Sequence, residues 1–154
     1  MSDRRSCATG IAAAFAIGLA CLGAAAEGSQ LIATVERPAT VTVSTAPGPG
    51  LDASPAGRQV VVSVMGYKPA RDGAVQGVVK VQPNEGRTEQ EIGRFGIFPN
   101  AEFRAADPSQ ARRFTFPLPP DLARGGPVRL KVEVVPIRGD GKDAQLEIGS
   151  AEIK

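Results

Sequence analysis

The sequence predicts an all-β protein: a single antiparallel β-sandwich of about seven strands, preceded by a cleavable signal peptide. Three observations carry this. Beyond residue 36, apolar residues recur at every second position, as they do on a strand with one buried face. Clusters of Gly, Pro, Asn and Asp interrupt that alternation at intervals of one strand and one loop. No stretch carries the spacing of an amphipathic helix, so the sheets must cover each other.

Residues 1–26 read as an export signal. Arg4 and Arg5 form a positive leader, Ile11 to Gly23 an apolar run, and Ala24-Ala25-Ala26 an A-x-A cleavage site. The apolar run is shorter than the roughly 20 residues a membrane-spanning helix needs. Arg4-Arg5 also spell the pair of a twin-arginine signal, but Asp3 and Cys7-Ala8 fit its flanks poorly and favour an ordinary secretory signal. Cys21 follows Leu19-Ala20 as a lipidated cysteine would, yet Gly18 stands where a large aliphatic residue is expected, so a lipid anchor is the lesser reading. The expectation is an exported protein, periplasmic or extracellular, with residues 27–36 a flexible N-terminal segment and residues 37–154 the sandwich.

Seven strands are expected: Thr40 to Thr45, Gln59 to Met65, Ala74 to Val81, Glu91 to Phe98, Arg113 to Leu118, Val128 to Val135 and Gln145 to Ile153. Their separators have turn chemistry, with "APGPGLDASPAG" rich in Pro and Gly, "ARDG" and "NEG" suited to tight turns, and "RGDG" to a hairpin. The one helical turn expected is "DPSQARR", capped by Asp107 with Pro108 in its first turn. Pro117, Pro119 and Pro120 deny the fifth strand a central position at that end. In the last strand Leu146 and Ile148 have one parity, Ala151 and Ile153 the other; a bulge at Gly149-Ser150 would bring all four to one face.

The chain has no histidine, and both cysteines, Cys7 and Cys21, lie in the signal. This removes imidazole bases, zinc or copper ligation through His or Cys, and thiol nucleophiles from the mature protein. No G-x-S-x-G elbow is present either. The expectation is a protein that is not an enzyme, without cofactor or metal. A formal charge of +2 gives no basis for nucleic-acid binding.

Other features have plainer explanations. Arg138-Gly139-Asp140 spells an adhesion tripeptide, but Asp140-Gly141 is what a hairpin between alternating strands needs. Asp140, Asp143 and Glu147 lack the spacing of a dedicated calcium loop. The carboxylates of "EGRTEQE" read as solvent-facing charge. In "GRFGIFPNAEF", Phe95 and Ile97 share one face and Phe98 the other, while Pro99 and Asn100 open a loop that carries Phe103. The ordinary fate of all three phenylalanines is the core. The alternative makes Phe98, Pro99, Asn100 and Phe103 a candidate partner-binding loop.

The stretch "VEVVPIRGDGKDAQLEIGSAEIK" resembles the end of the C-terminal domain of plant polyphenol oxidases and bacterial tyrosinase-like proteins, with its Val-x-x-Val-Pro strand, short turn and closing Ile-Gly-x-x-x-Ile strand. "EIGRFGIFPN" resembles the family's Gly-x-Phe strand and Pro-His loop, with Gly93, Phe95 and Pro99 in place and Asn100 where histidine often stands. "RPATVTV" and "RQVVVSVMGYKP" resemble its entering strands, and "VVKV" echoes its Lys-Phe-Asp-Val signature. The resemblance implies a β-sandwich that covers the active-site entrance of a copper oxidase. Here the copper domain is absent from the sequence, so the implied role is binding in trans: shielding or stabilising a separately encoded tyrosinase-like copper oxidase. A second expectation, from another class, is an envelope structural or adhesion module binding another protein or polymer. A third, a carboxylate-only enzyme, needs two carboxyl groups facing across a cleft.

Overall fold

The computed structural model describes residues 31–43, 57–83, 88–122 and 127–154. The export signal, Cys21 and most of "APGPGLDASPAG" and "NEG" lie outside these residues. The described chain is an antiparallel β-sandwich of two sheets, as the alternation predicts. Its strands are β1 (Leu31–Ala33), β2 (Ala39–Val43), β3 (Gln59–Lys68), β4 (Ala74–Pro83), β5 (Gln90–Phe95), β6 (Phe103–Arg104), β7 (Arg112–Pro117), β8 (Val128–Arg138) and β9 (Gln145–Ile153). The first sheet runs β1-β9-β3, with β6 and β7 sharing the far edge of β3; the second runs β2-β8-β4-β5.

All seven expected strands form, and two short ones join them. β1 falls in the segment expected to be flexible, but Leu31↔Ile148, Ile32↔Glu147 and Ala33↔Leu146 pair it with β9, and Ala33 is fully buried. The ordered sandwich therefore begins before Arg37. Three residues are too few to show alternation, which is why the pattern missed it. β5 ends at Phe95 rather than Phe98, because its pairing with β4 stops at Gly77↔Phe95 and the chain then turns toward β6 in the other sheet.

The largest correction concerns "RGDG". β8 and β9 do not form a hairpin: β8 lies in the second sheet and β9 in the first, so this turn carries the chain across the sandwich. Among the described residues only β4 and β5 are consecutive strands that pair with each other. Sequence periodicity gives each strand's buried face but not its neighbour, and a crossover needs the same turn residues as a hairpin.

The bulge in β9 is present. Between Ser63↔Ser150 and Val64↔Ile148 the register gains Gly149 on β9; between Val64↔Ile148 and Gly66↔Glu147 it gains Met65 on β3. The first extra residue switches the face, so Leu146, Ile148, Ala151 and Ile153 all contribute to the core. The turn at Pro108–Gln110 is a single 3-10 turn capped by Asp107, whose carboxylate accepts from Ser109 N–H at 2.8 Å. Among the described residues β7 pairs only with β3, so its proline-terminated strand is an edge.

The core is aliphatic through the middle: Val60, Val62 and Val64 of β3, Leu146 and Ile148 of β9, Val79 and Val81 of β4, and Leu130 and Val132 of β8 are all 1% exposed or less. Each such side chain contributes roughly 1.5–3 kcal/mol by leaving water. Where β5 and β7 approach, the filling is aromatic. Phe95 stacks on Phe114 at 4.2 Å between centroids, and Phe116 lies 6.2 Å from Phe95. Two glycines make this possible, since a Cβ on Gly77 would fall 2.3 Å from the Phe95 ring and one on Gly93 would fall 2.3 Å from the Phe116 ring.

Gly93→Val should therefore lower the urea unfolding midpoint by the equivalent of about 1–3 kcal/mol or more, the usual cost of overpacking. Gly96→Ala, into open space, should stay within about 0.5 kcal/mol.

Candidate functional site

Three connections meet at one end of the sandwich: Pro69 to Gly73 between β3 and β4, Gly96 to Glu102 between β5 and β6, and Gly139 to Ala144 between β8 and β9. The first and third lock together by close backbone approach. Gly73 and Gly139 have φ of +88° and +75°, conformations that side chains disfavour. An added Cβ on Gly73 would fall 1.9 Å from the Arg138 carbonyl oxygen, and one on Gly139 would fall 2.5 Å from that of Asp72. Arg71 adds its N–H to the Lys142 carbonyl at 3.0 Å and its guanidinium to the Asp143 carboxylate at 3.5 Å.

The middle loop is braced from both sides. Tyr67, 3% exposed, donates its hydroxyl to Asn100 Oδ1 at 2.5 Å, and Asn100 Nδ2 donates to the Gly73 carbonyl at 3.5 Å. Burial raises the Tyr67 phenol pKa, which keeps it a donor. Arg112 donates from Nη1 to the Phe98 carbonyl at 3.1 Å and lays its guanidinium over the Phe103 ring, 4.1 Å from the centroid. The Phe98–Pro99 peptide bond is cis, and Ala101 N–H donates to the Pro99 carbonyl at 2.8 Å.

This arrangement separates the candidate partner-binding residues. Phe98 is 90% exposed, against the expectation that phenylalanine goes to the core. Pro99 and Asn100 are also exposed, whereas Phe103 is half-buried against the core beneath Arg112. Phe95 is buried as expected. The reversal at Phe98 follows from β5 ending at Phe95: with no strand partner beyond it, the chain turns outward and its parity no longer points to a sheet. Ile137, 63% exposed, stands at the same end, near the end of β8 that pairs with the start of β4. Tyr67 and Arg112 escaped sequence reading because their partners lie 33 and 14 residues away, beyond any local motif.

The carboxylates at this end are engaged separately. Asp140 caps Lys142 N–H at 2.9 Å, Asp143 faces Arg71, and Glu147 pairs with Arg104 at 3.4 Å. Among the described residues no group of three or more His, Cys, Asp or Glu is placed to hold a metal ion, and no helix is long and apolar enough to cross a membrane. On the outer face of the second sheet, charge is paired across strands: Glu133 accepts from Lys80 at 2.7 Å and from Lys131 at 3.0 Å, and Lys131 reaches Glu89 at 3.1 Å. Glu91 and Arg94 pair at 2.7 Å. The "EGRTEQE" carboxylates Glu89 and Glu91 face solvent as expected, and each also has a cationic partner, Lys131 and Arg94. The Lys80 hydrogen bond, with Lys131 beside it, holds the Glu133 carboxyl below the usual carboxylate range.

Fold and site together define a β-sandwich that presents one aromatic side chain from a braced loop tip, among the described residues. In comparisons with known proteins, no family model and no curated protein matches the chain.

Two outcomes follow. Arg112→Met should lose about 1 kcal/mol of stability and accelerate amide hydrogen exchange at Ala101, because it removes a hydrogen bond and a cation–π contact from the loop. Glu133 is depressed in the folded state, so its contribution is present above the unfolded-state pKa and lost as pH falls through the lower folded value. The acid limb of the stability profile should flatten in Glu133→Gln, measured by urea midpoints from neutral pH downward.

Proposed function

We propose that this chain is an exported, non-catalytic binding sandwich that inserts Phe98 into an apolar recess of a separately encoded tyrosinase-like copper oxidase, shielding or stabilising it. The observation that carries the binding role is Phe98 itself, nine-tenths exposed on a loop held by Arg112, Asn100 and Tyr67. A phenylalanine in water forgoes roughly 1.5–3 kcal/mol of burial, and a braced loop loses little entropy on docking. The oxidase is the partner that the resemblance at residues 91–100 and 132–154 implies. Asn100, where that family often has histidine, serves here as a bridge between Tyr67 and Gly73.

The second reading, an envelope structural or adhesion module, draws on the sheet edges. Among the described residues β2 and β5 each pair on one side only, which leaves backbone groups for strand addition.

Titration of a tyrosinase-like copper oxidase with the wild-type chain and with Phe98→Ala should show the variant binding about tenfold to a hundredfold more weakly. Equal affinity would overturn the Phe98 mode. Recovery of envelope proteins alone in a pull-down would place the second reading first.

A further inference from the structure

A separate feature lies on the outer face of the first sheet. In the register of β9, β3 and β7, Ser63 stands opposite Ser150 on one side and Arg113 on the other. Directly opposed residues on one face lie about 4.5–5.5 Å apart between Cβ atoms, so two hydroxyls and a guanidinium form one row across three strands. This row belongs to a groove of about 250 Å³, also lined by Met65, Pro108, Gly149 and Glu152.

Ser63 is the one buried polar residue of the described core region, 7% exposed as a whole, and it lines the groove, where its hydroxyl oxygen is not sealed from solvent. Among the described residues no carboxylate or carbonyl engages the Arg113 guanidinium. Its neighbour Glu152 is already paired with Lys154 at 3.1 Å.

The opposed bulges shape the rest. They bring Met65 across Gly149, where an added Cβ would fall 2.4 Å from Met65 Cγ, so Gly149 leaves room for the Met65 side chain along one wall. Pro108, held by the capped 3-10 turn, supplies a second apolar wall.

We infer that this groove binds a small organic carboxylate, with the anionic group on Arg113 and the Ser63 and Ser150 hydroxyls and the carbon skeleton against Met65 and Pro108. A guanidinium fork matches a carboxylate in charge and geometry, and the hydroxyls donate to its remaining lone pairs. One cation balances one carboxylate. The groove is below the roughly 300–1,000 Å³ of drug-sized pockets, which limits the ligand to a short aliphatic or single-ring acid. This site shares no residue with the Phe98 loop and does not depend on the binding role proposed for it.

The test is a titration of the nitrogen-labelled product of the full-length chain with butyrate and with benzoate, followed by NMR, with butyramide as the neutral control. The acids should give saturable shifts centred on the Ser63, Arg113 and Ser150 amides, and butyramide should give none. Arg113→Gln should weaken binding by about tenfold or more without lowering the unfolding midpoint, because its exposed side chain holds nothing in the fold. Ser150→Ala, a second variant on an exposed position, should also weaken it. Absence of saturable shifts up to tens of millimolar, equal binding of butyramide, or unchanged affinity in both variants would overturn the inference.

Discussion

The structure depends on β3 being paired along both edges. Gln59 to Lys68 bonds to β9 on one side and to β7 and then β6 on the other. Same-face side chains of the strands on either side shield the outer-face residues of a central strand, which is why Val61 and Ser63 are nearly as buried as the core valines Val60 and Val62. Because β3 is central, its register fixes which residues of three other strands face the second sheet. A shift of one residue would turn all of them around.

That constraint makes the bulges consequential. Gly149 on β9 and Met65 on β3 are opposed irregularities a few residues apart, and the second restores the count that the first disturbs. The gain is local: β9 keeps four apolar residues inward despite a parity change in its sequence. The same pair of extra residues leaves Met65 beside Ser63 and Ser150 on the outer face, so the groove arises from the device that keeps the core continuous. At the loop end, the same strand supplies Tyr67, whose hydroxyl reaches Asn100 and helps hold the loop that presents Phe98.

The two exposed features differ in physical kind. Phe98 is an apolar group left in water by a rigid loop, and its free energy is gained only on association. The Ser63 row is a set of polar groups lining a partly enclosed groove, where the proposed carboxylate would meet one guanidinium and two hydroxyls. Between them the second sheet's outer face is self-sufficient: Lys80, Glu133, Lys131 and Glu89 answer one another, and Val78 lies buried among the surrounding side chains. Such partly exposed pairs add little stability individually.

The sequence by itself determined the all-β class, the seven principal strands, the bulge at Gly149, the Asp107 cap and the edge position of β7. Each depends on period-two burial or on the conformational demands of Gly, Pro and Asp, which act over a few residues. Only the tertiary structure decided that "RGDG" crosses between sheets, that Leu31–Ala33 is a strand, that Phe98 points outward while Phe103 is covered by Arg112, and that Ser150, Ser63 and Arg113 stand in one row. These depend on which strands are neighbours. Pairing is a contest among edges far apart in the chain, and local residue order does not encode its outcome.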